Sequence, residues 1–159
     1  MLVVCYGNIC RSPFAAGLLS GKLPPDLRAL IAVESAGFVG PGRPSPREAV
    51  EAASERGVDL SLHRARLLTP ALARAAQLIV VMDAAQRREV CSLYRRHPSS
   101  VVLLGDLDPL DGQTRAIQDP VDRPAAVFRE TYDRIARCIG QLIEAMASAE
   151  PKRVPSDHS

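Results

Sequence analysis

The chain has 159 residues, of which 47% are hydrophobic and 24% charged, a composition that is typical of globular domains and excludes an intrinsically disordered chain. Its formal net charge of +2 favours neither nucleic acid nor a membrane surface as a partner, and we expect neither. No apolar run approaches the ~20 residues that cross a bilayer, and we expect no signal peptide. Four cysteines in a chain of this length favour a reducing, cytoplasmic location over a disulfide framework.

The first predicted elements are a strand, a helix and a second strand. Residues 2–4 are apolar and include two β-branched valines, which favours a short strand. Pro13 suits the first position of a helix, so we predict a helix over residues 13–22. The segment ALIAVESAG, residues 29–37, is predicted to end in the second strand.

The segment SPREAVEAASERG predicts the next helix. Ser45 and Glu48 have the spacing of a capping box, in which each side chain accepts a hydrogen bond from the main chain of the other residue. Pro46 fits the first turn, and Gly57 is placed to end the helix. We therefore predict that Ser45 caps this helix.

Two further helices and two strands follow in alternation. Thr69 and Pro70 are expected to start a short helix, and QLIVVM, residues 77–82, is a continuous apolar strand. Asp83 and Gln86 are expected to cap the helix after it. SVVLL, residues 100–104, is the fourth predicted strand.

A long helix is predicted from Pro124 onward, because apolar residues recur three and four positions apart. This stripe consists of Phe128, Tyr132, Ile135, Ile139, Leu142 and Met146. We expect one domain over residues 1–147, followed by a flexible tail over residues 148–159, which is polar and contains prolines.

The predicted fold is α/β, a single domain with a four-stranded parallel sheet and helices on both faces. Strands that are unbroken apolar runs and alternate with helices are typical of this class. Ligands of such sheets bind beyond the carboxyl ends of the strands. The bend between Cys5 and Ser12 lies at one such end.

This bend has the residue types of a phosphate-binding loop. The first amides of a helix lack intrahelical partners and favour an anion, and a thiol placed there loses its proton readily. Gly7 and Asn8 permit a tight turn, Arg11 offers a planar fork for a phosphoryl group, and Ser12 can donate to the Cys5 sulfur. The candidate phosphate-binding residues are Tyr6, Gly7, Asn8, Ile9, Cys10, Arg11 and Ser12.

The segment VCYGNICRSPFAAGLL strongly resembles the opening of the low-molecular-weight protein tyrosine phosphatases. Further stretches match this family in order: ESAG at 34–37, GVDLSLHRARLLTP at 57–70, IVVMDAAQRREV at 79–90 and DP at 119–120. The resemblance covers nearly all of residues 1–147.

The resemblance implies a phosphomonoesterase that needs no metal or other cofactor. Cys5 would attack phosphorus and form a phosphocysteine, and Arg11 would stabilise the transferring group. Asp119 would act as general acid and then as general base. Asp108 also precedes a proline and is the rival for this role, but Asp119 lies directly before the final helix, as in the family.

Supporting roles are implied for several other residues. Asn8, Ser12, Ser35 and His63 match positions that hold the loop by hydrogen bonds. Cys10 is expected either to form a protective disulfide with Cys5 or to be a small packing residue. Cys91 and Cys138 are expected in the core.

The substrate walls are sparse in aromatic residues. Only Phe38 is available in the loop after the second strand, and Val121 stands where the family often has tyrosine. Relatives that act on phosphoarginine tend to carry threonine at the position of Ile9, so Ile9 favours an aryl phosphate. We expect a phosphorylated protein, with phosphotyrosine as the most favoured group, or a small aryl phosphate.

Other functions stay open at this point. An arsenate reductase of the same fold would need an external thiol, because Cys91 has no neighbouring cysteine to pair with. A protein that senses phosphate without turnover would not need a thiolate. A purely structural or interaction role is a third alternative, and the sequence indicates no oligomeric state.

Overall fold

Four parallel strands form the centre of the structure, a computed structural model that describes residues 1–149. The strands are β1 (Leu2–Cys5), β2 (Glu34–Gly37), β3 (Ile79–Val81) and β4 (Val101–Leu103). They lie in the order β2-β1-β3-β4, and every neighbouring pair is parallel. The predicted four-stranded parallel sheet is therefore confirmed.

Within the described residues, six α-helices connect and cover the strands. They are α1 (Arg11–Lys22), α2 (Pro25–Leu30), α3 (Arg47–Ser54), α4 (Pro70–Ala75), α5 (Ala84–Leu93) and α6 (Ala125–Ala149). Short 3-10 turns lie at Pro98–Ser100 and Leu104–Leu107. None of the helices within residues 1–149 combines the length and the apolar character that a bilayer crossing requires.

The two faces of the sheet belong to two separate apolar clusters. Val3 and Cys5 face the larger cluster, which includes side chains of α1, α3 and α6. Leu2 and Val4 face a smaller cluster with side chains of α4 and α5. Because successive residues of a strand point to opposite faces, β1 contributes to both clusters and lies at the centre of the fold.

Helix α1 begins two residues earlier than predicted, at Arg11 rather than Pro13. A proline is tolerated anywhere in the first turn, since the amides there have no intrahelical acceptor. The earlier start places Arg11 and Ser12 on the first turn of the helix, where their main chain faces the preceding loop.

The prediction of a capping box at Ser45 is wrong. Helix α3 starts at Arg47 and is preceded by Pro46 in an extended conformation, so Ser45 lies one residue too early to cap it. The hydroxyl of Ser45 is buried and has no partner within the described residues. Helix α2 was not predicted, although Pro25 at its first turn and Asp26 beside it are N-terminal signals.

The caps of α4 and α5 are confirmed. Thr69 accepts a hydrogen bond from the Leu72 amide, and Asp83 accepts one from the Gln86 amide at 2.8 Å. The Gln86 side chain in turn accepts from the Met82 amide at 2.9 Å. Helix α6 continues through residues 148 and 149, and the rest of the predicted flexible tail lies outside the described residues.

The segment between β4 and α6 is fastened to α6 by a buried carboxylate. The side chain of Asp108 is 1% exposed and accepts hydrogen bonds from Arg134 at 2.9 Å and from Arg137 at 3.1 Å. Arg134 also donates to the carbonyls of Ala116 and Thr114. This cluster fixes the course of the chain that leads to Asp119.

Removal of the Asp108 charge is expected to destabilise the fold. In Asp108→Asn, two buried or half-buried guanidinium groups lose their anionic partner, and breaking such a pair costs ~3 kcal/mol of unfolding free energy. Asp106→Asn is the control, because Asp106 pairs with Arg115 at the surface and such pairs contribute at most about 1 kcal/mol. Urea denaturation of the three proteins measures both values, and equal losses would contradict the assignment.

The effect of Asp108 should depend on pH. Burial acts to raise the pKa of its carboxyl, but hydrogen bonds from Arg137, the Leu110 amide and Arg134 outweigh burial and hold the pKa below its ordinary value. Its contribution is therefore complete above about pH 4, the unfolded-state pKa, and is lost as the pH falls through the lower folded value. The stability difference between wild type and Asp108→Asn should shrink over that range, and a constant difference down to pH 2 would contradict this.

Candidate active site

The sulfur of Cys5 lies at the carboxyl end of β1, under the first turn of α1. The side chain is 2% exposed. Ser12 approaches it twice, with its amide at 3.4 Å and its hydroxyl at 3.0 Å from Sγ. Asn8 Nδ2 donates to the same hydroxyl at 2.8 Å, and the hydroxyl hydrogen can be given either to the Ala36 carbonyl at 3.5 Å or, when Cys5 is a thiolate, to the sulfur. Asn8, Ser12 and Cys5 thus form a chain of donors that ends on Sγ.

The loop between β1 and α1 turns at Asn8, which has a left-handed backbone with φ of 52°. Its buried side chain donates to Ser12 and to Ser35 at 3.0 Å, and it accepts from the Arg66 amide at 2.9 Å. The Asn8 carbonyl accepts a hydrogen bond from His63 Nε2 at 2.7 Å. The structure therefore brings together all the residues that the sequence assigned to loop support, and it adds the amide of Arg66.

The end of β2 comes very close to this loop. A Cβ atom at Gly37 would lie 2.8 Å from the Asn8 amide nitrogen and 2.9 Å from the Asn8 Cβ. Glycine is needed here because the backbone of the loop occupies the space of a side chain. Two main-chain hydrogen bonds, from Phe38 and Val39 to the Tyr6 carbonyl, join the same two segments.

Main-chain amides of the loop are available to a ligand. Within residues 1–149, the amides of residues 7–10 donate to no protein acceptor. They lie at the N-terminus of α1, where the helix dipole also favours negative charge. This loop has the properties of an anion site.

Arg11 is 4% exposed and holds its guanidinium in a fixed position. Nη1 donates to the Ile117 carbonyl and Nη2 to Asp119, both at 3.0 Å. Nε is buried without a partner in the described part of the chain. A buried, unpartnered donor of a charged group is costly, so it is a favourable point for an anion.

A cavity of about 470 Å³ opens above Cys5. Its lining residues are Cys5, Tyr6, Gly7, Ile9, Cys10, Arg11, Val39, Gly40, Arg43, Asp119, Val121 and Asp122. The structure therefore places the three predicted catalytic residues, Cys5, Arg11 and Asp119, on one cavity. Asp108, the rival acid, is buried against α6 and is not part of the lining.

The walls of the cavity differ from expectation at one position. Phe38 does not reach the cavity but packs on the smaller cluster, on the same side of the chain as Ala36 two residues earlier. Val39 and the predicted Val121 line the cavity instead, together with Tyr6, which is 57% exposed. Sequence reasoning placed Tyr6 only in the phosphate loop and missed it as an aromatic wall.

The four cysteines are all free in this structure. Burial, reinforced by the Asp119 carboxylate, raises the pKa of the Cys10 thiol far above its ordinary value, so Cys10 is protonated at neutral pH. The Cys5–Cys10 disulfide stays a prediction. Cys138 is buried in the larger cluster as expected, whereas Cys91 is only half-buried against the smaller one.

Tyr132 of α6 supports the loop from the opposite side. Its buried hydroxyl donates to the Cys10 carbonyl at 2.9 Å, and burial raises its pKa, which keeps the hydroxyl protonated. The ring stacks on Phe14 of α1 with centroids 3.9 Å apart. This contact was not foreseen, because the sequence marks Tyr132 only as part of an apolar stripe.

Comparisons with known proteins agree on one family. The family model described as low molecular weight phosphotyrosine protein phosphatase matches residues 1–152. A relative from Ralstonia nicotianae, named probable low molecular weight protein-tyrosine-phosphatase EpsP, is 41% identical over 138 residues, 86% of this chain and 88% of its own.

Two solved structures have the same fold. The tyrosine phosphatase AmsI of Erwinia amylovora superposes with a TM-score of 0.79 at 29% identity and covers 91% of this chain and 90% of its own. The YwlE arginine phosphatase of Geobacillus stearothermophilus gives a TM-score of 0.79 at 28% identity, with 92% of each chain covered.

Removal of the Tyr132 hydroxyl is expected to weaken anion binding. In Tyr132→Phe the Cys10 carbonyl loses a buried donor, which costs ~1 kcal/mol of stability and loosens the loop. Tyr94→Phe is the matched control, since its hydroxyl donates at 3.2 Å to the Leu68 carbonyl, away from the cavity. Calorimetric titration with inorganic phosphate should show weaker binding only in Tyr132→Phe. Equal affinities in both variants would mean that this hydrogen bond serves packing alone.

Proposed function

We propose that this chain, which belongs to the low molecular weight phosphotyrosine protein phosphatase family, hydrolyses phosphotyrosine in proteins. The reaction passes through a phosphocysteine at Cys5. Membership of the family makes the chain a hydrolase of phosphate monoesters. The observation that carries the proposal is the arrangement of three side chains on one cavity. Cys5 lies at its base, and the Asp119 carboxylate lies on its wall. Arg11 also lines the cavity, and its Nε has no partner within residues 1–149.

In the first step, the Cys5 sulfur attacks phosphorus, a P–S bond forms and the bond from phosphorus to the phenolic oxygen breaks. The two donors of Ser12 stabilise the sulfur as a thiolate. The Arg11 guanidinium and the amides of residues 7–10 hold the three phosphoryl oxygens, which carry most of the charge in the transition state. Protonated Asp119 gives its proton to the departing tyrosine oxygen.

In the second step, water hydrolyses the phosphocysteine. The Asp119 carboxylate, now deprotonated, takes a proton from a water molecule, which attacks phosphorus on the side that tyrosine has left. The P–S bond breaks and inorganic phosphate is released. The sulfur leaves as a thiolate, which the Ser12 hydroxyl and amide again stabilise.

The walls of the cavity support an aryl substrate. Tyr6, Ile9, Val39 and Val121 present apolar surface around the entrance, and the exposed ring of Tyr6 can stack on a phenyl ring. A phosphoarginine side chain has a charged, planar guanidino group, and its only charged partners on this cavity within the described residues would be Asp119 and Asp122, since the wall of Tyr6, Ile9, Val39 and Val121 is apolar. Phosphotyrosine is therefore favoured over phosphoarginine.

A reducing compartment suits this chemistry, because the reaction requires Cys5 as a free thiolate. We place the protein in the cytoplasm on this ground. Phosphate sensing without turnover is disfavoured, since binding alone would use neither a nucleophile nor Asp119. Arsenate reduction is disfavoured because it would need a further cysteine beside the cavity: Cys91 packs against the smaller cluster, and within the described residues only Cys5 and Cys10 line the cavity.

Replacement of the nucleophile tests the chemistry. Cys5→Ser should abolish phosphate release from p-nitrophenyl phosphate and from a phosphotyrosine peptide, while binding of inorganic phosphate stays measurable by calorimetry. Undiminished turnover in this variant would refute the proposal. A panel with a phosphotyrosine peptide, a phosphoserine peptide, phosphoarginine and arsenate identifies the substrate, and arsenate-dependent thiol consumption would favour the reductase.

Replacement of the acid tests the role of Asp119. Asp119→Ala should slow hydrolysis of a phosphotyrosine peptide by about 10²-fold or more, because tyrosinate is a poor leaving group that needs a proton. The effect on p-nitrophenyl phosphate, whose leaving group needs little protonation, should be smaller. Asp108→Asn tests the rival acid; because that variant also loosens the segment before α6, only the ratio of the rates on the two substrates is compared, and a leaving-group dependence there instead of in Asp119→Ala would show that the acid is Asp108.

A further inference from the structure

Arg43 lies on the segment between β2 and α3, and its backbone is held on both sides. The Gly42 amide donates to the Ala65 carbonyl at 2.7 Å, and the Ala65 amide donates to the Arg43 carbonyl at 2.8 Å. An antiparallel bridge between Pro44 and Arg64 follows directly. The starting point of the Arg43 side chain is therefore fixed relative to the phosphate loop.

The side chain of Arg43 lies flat across two glycines at the rim of the cavity. Nε donates to the Gly40 carbonyl at 3.2 Å, and Nη2 lies 3.5 Å from the Gly7 carbonyl. A Cβ atom at Gly40 would come within 2.6 Å of three guanidinium atoms, and one at Gly7 would lie 2.8 Å from Nη2. A side chain at either position would displace the guanidinium, so the observed position of Arg43 requires glycine at both.

The charge of Arg43 is not neutralised by the protein. Within residues 1–149, Arg43 forms no ion pair, whereas the exposed Arg47, Arg115 and Arg129 each pair with a carboxylate. The guanidinium is exposed and also lines the cavity. The charge of Arg43 acts on the thiol of Cys10, which lines the same cavity. Burial is the main cause that raises the pKa of Cys10, and the positive charge of Arg43 lowers that pKa.

The part of the cavity rim before α6 carries negative charge. Asp119 and Asp122 line the cavity from the segment before α6, whereas Arg43 comes from the segment after β2. An extended peptide that places a phosphorylated side chain in the cavity and runs from the segment after β2 to the segment before α6 has one neighbour nearer to Arg43 and the other nearer to the aspartates. The rim therefore distinguishes an acidic neighbour on one side from an acidic neighbour on the other.

We propose that Arg43 is a specificity-determining residue that binds the carboxylate of an acidic residue beside the phosphotyrosine, on one side of it only. This inference rests on the proposed function, since it concerns the peptide that carries the phosphate. Both groups stay partly hydrated at the rim, so the expected preference is modest. Exposed ion pairs correspond to about a two- to fivefold gain in kcat/KM at low ionic strength, which salt reduces.

Matched phosphotyrosine peptides test the proposal. One pair carries glutamate or glutamine directly before the phosphotyrosine, and a second pair carries them directly after it. The wild-type protein should prefer glutamate over glutamine about two- to fivefold in one pair only, and 0.5 M NaCl should reduce the preference. Because the readout is a ratio within one variant, a general loss of activity cancels.

Variants at position 43 separate charge recognition from support of the loop. Arg43→Gln should bring the ratio to about one, Arg43→Lys should restore part of it, and Arg43→Glu should favour the glutamine peptide. Arg47→Gln is the matched control, because Arg47 is exposed and lies outside the cavity, and it should keep the wild-type ratio.

Three results would overturn the inference: no preference in the wild type, equal gains in both peptide pairs, or a preference that survives in Arg43→Gln. These are distinct from failure of the proposed function. If the wild type released no phosphate from any of the four peptides or from p-nitrophenyl phosphate, the phosphatase assignment itself would fail.

Discussion

The left-handed turn at Asn8 is the constraint on which the site depends. This turn directs the chain so that the amide and the hydroxyl of Ser12 both reach the Cys5 sulfur. The loop has few hydrogen bonds of its own, so its conformation depends on hydrogen bonds to other segments of the chain. Asn8 obtains these from Ser35, His63 and the amide of Arg66, which belong to two other segments of the chain. The loop is thus rigid although few of its bonds are internal.

The opposite wall of the site depends on a second set of contacts. Asp108 and Arg134 hold the segment after β4 against α6, and that segment supplies the Ile117 carbonyl and the Asp119 carboxylate to Arg11. The buried ion pair therefore positions the site from a distance, although it takes no part in the cavity. The Arg11 guanidinium is already fixed through Nη1 and Nη2, so it loses little conformational freedom when an anion binds at Nε. The site is preorganised in this sense.

The sequence predicts the fold and family well, because the signals are local. Unbroken apolar strands, Asp83 at a helix start and the Cys5 loop each depend on neighbouring residues. The contacts that the sequence did not reveal are long-range: Tyr132 on the Cys10 carbonyl, the Arg66 amide on Asn8, and Arg43 beside the Gly7 carbonyl. Phe38 shows a third case, since strand alternation from Ala36 would have placed it on the far face. The roles of Cys5, Arg11 and Asp119 remain predictions that kinetics must decide.

The separation in sequence between Arg11 and its partners has a consequence during synthesis of the chain. Arg11 meets partners that follow it by 106 and 108 positions, so the sulfur and the guanidinium emerge from the ribosome long before the carbonyl and the carboxylate that hold the guanidinium. On the proposed mechanism, a chain that ends before residue 117 lacks the general acid and both partners of Arg11, and it would not turn over substrate. The exposed turn at Gly112 lies in the chain between Arg11 and its two partners. On the proposed mechanism, two fragments divided at this turn would turn over substrate only after they bind each other, so activity would measure their association.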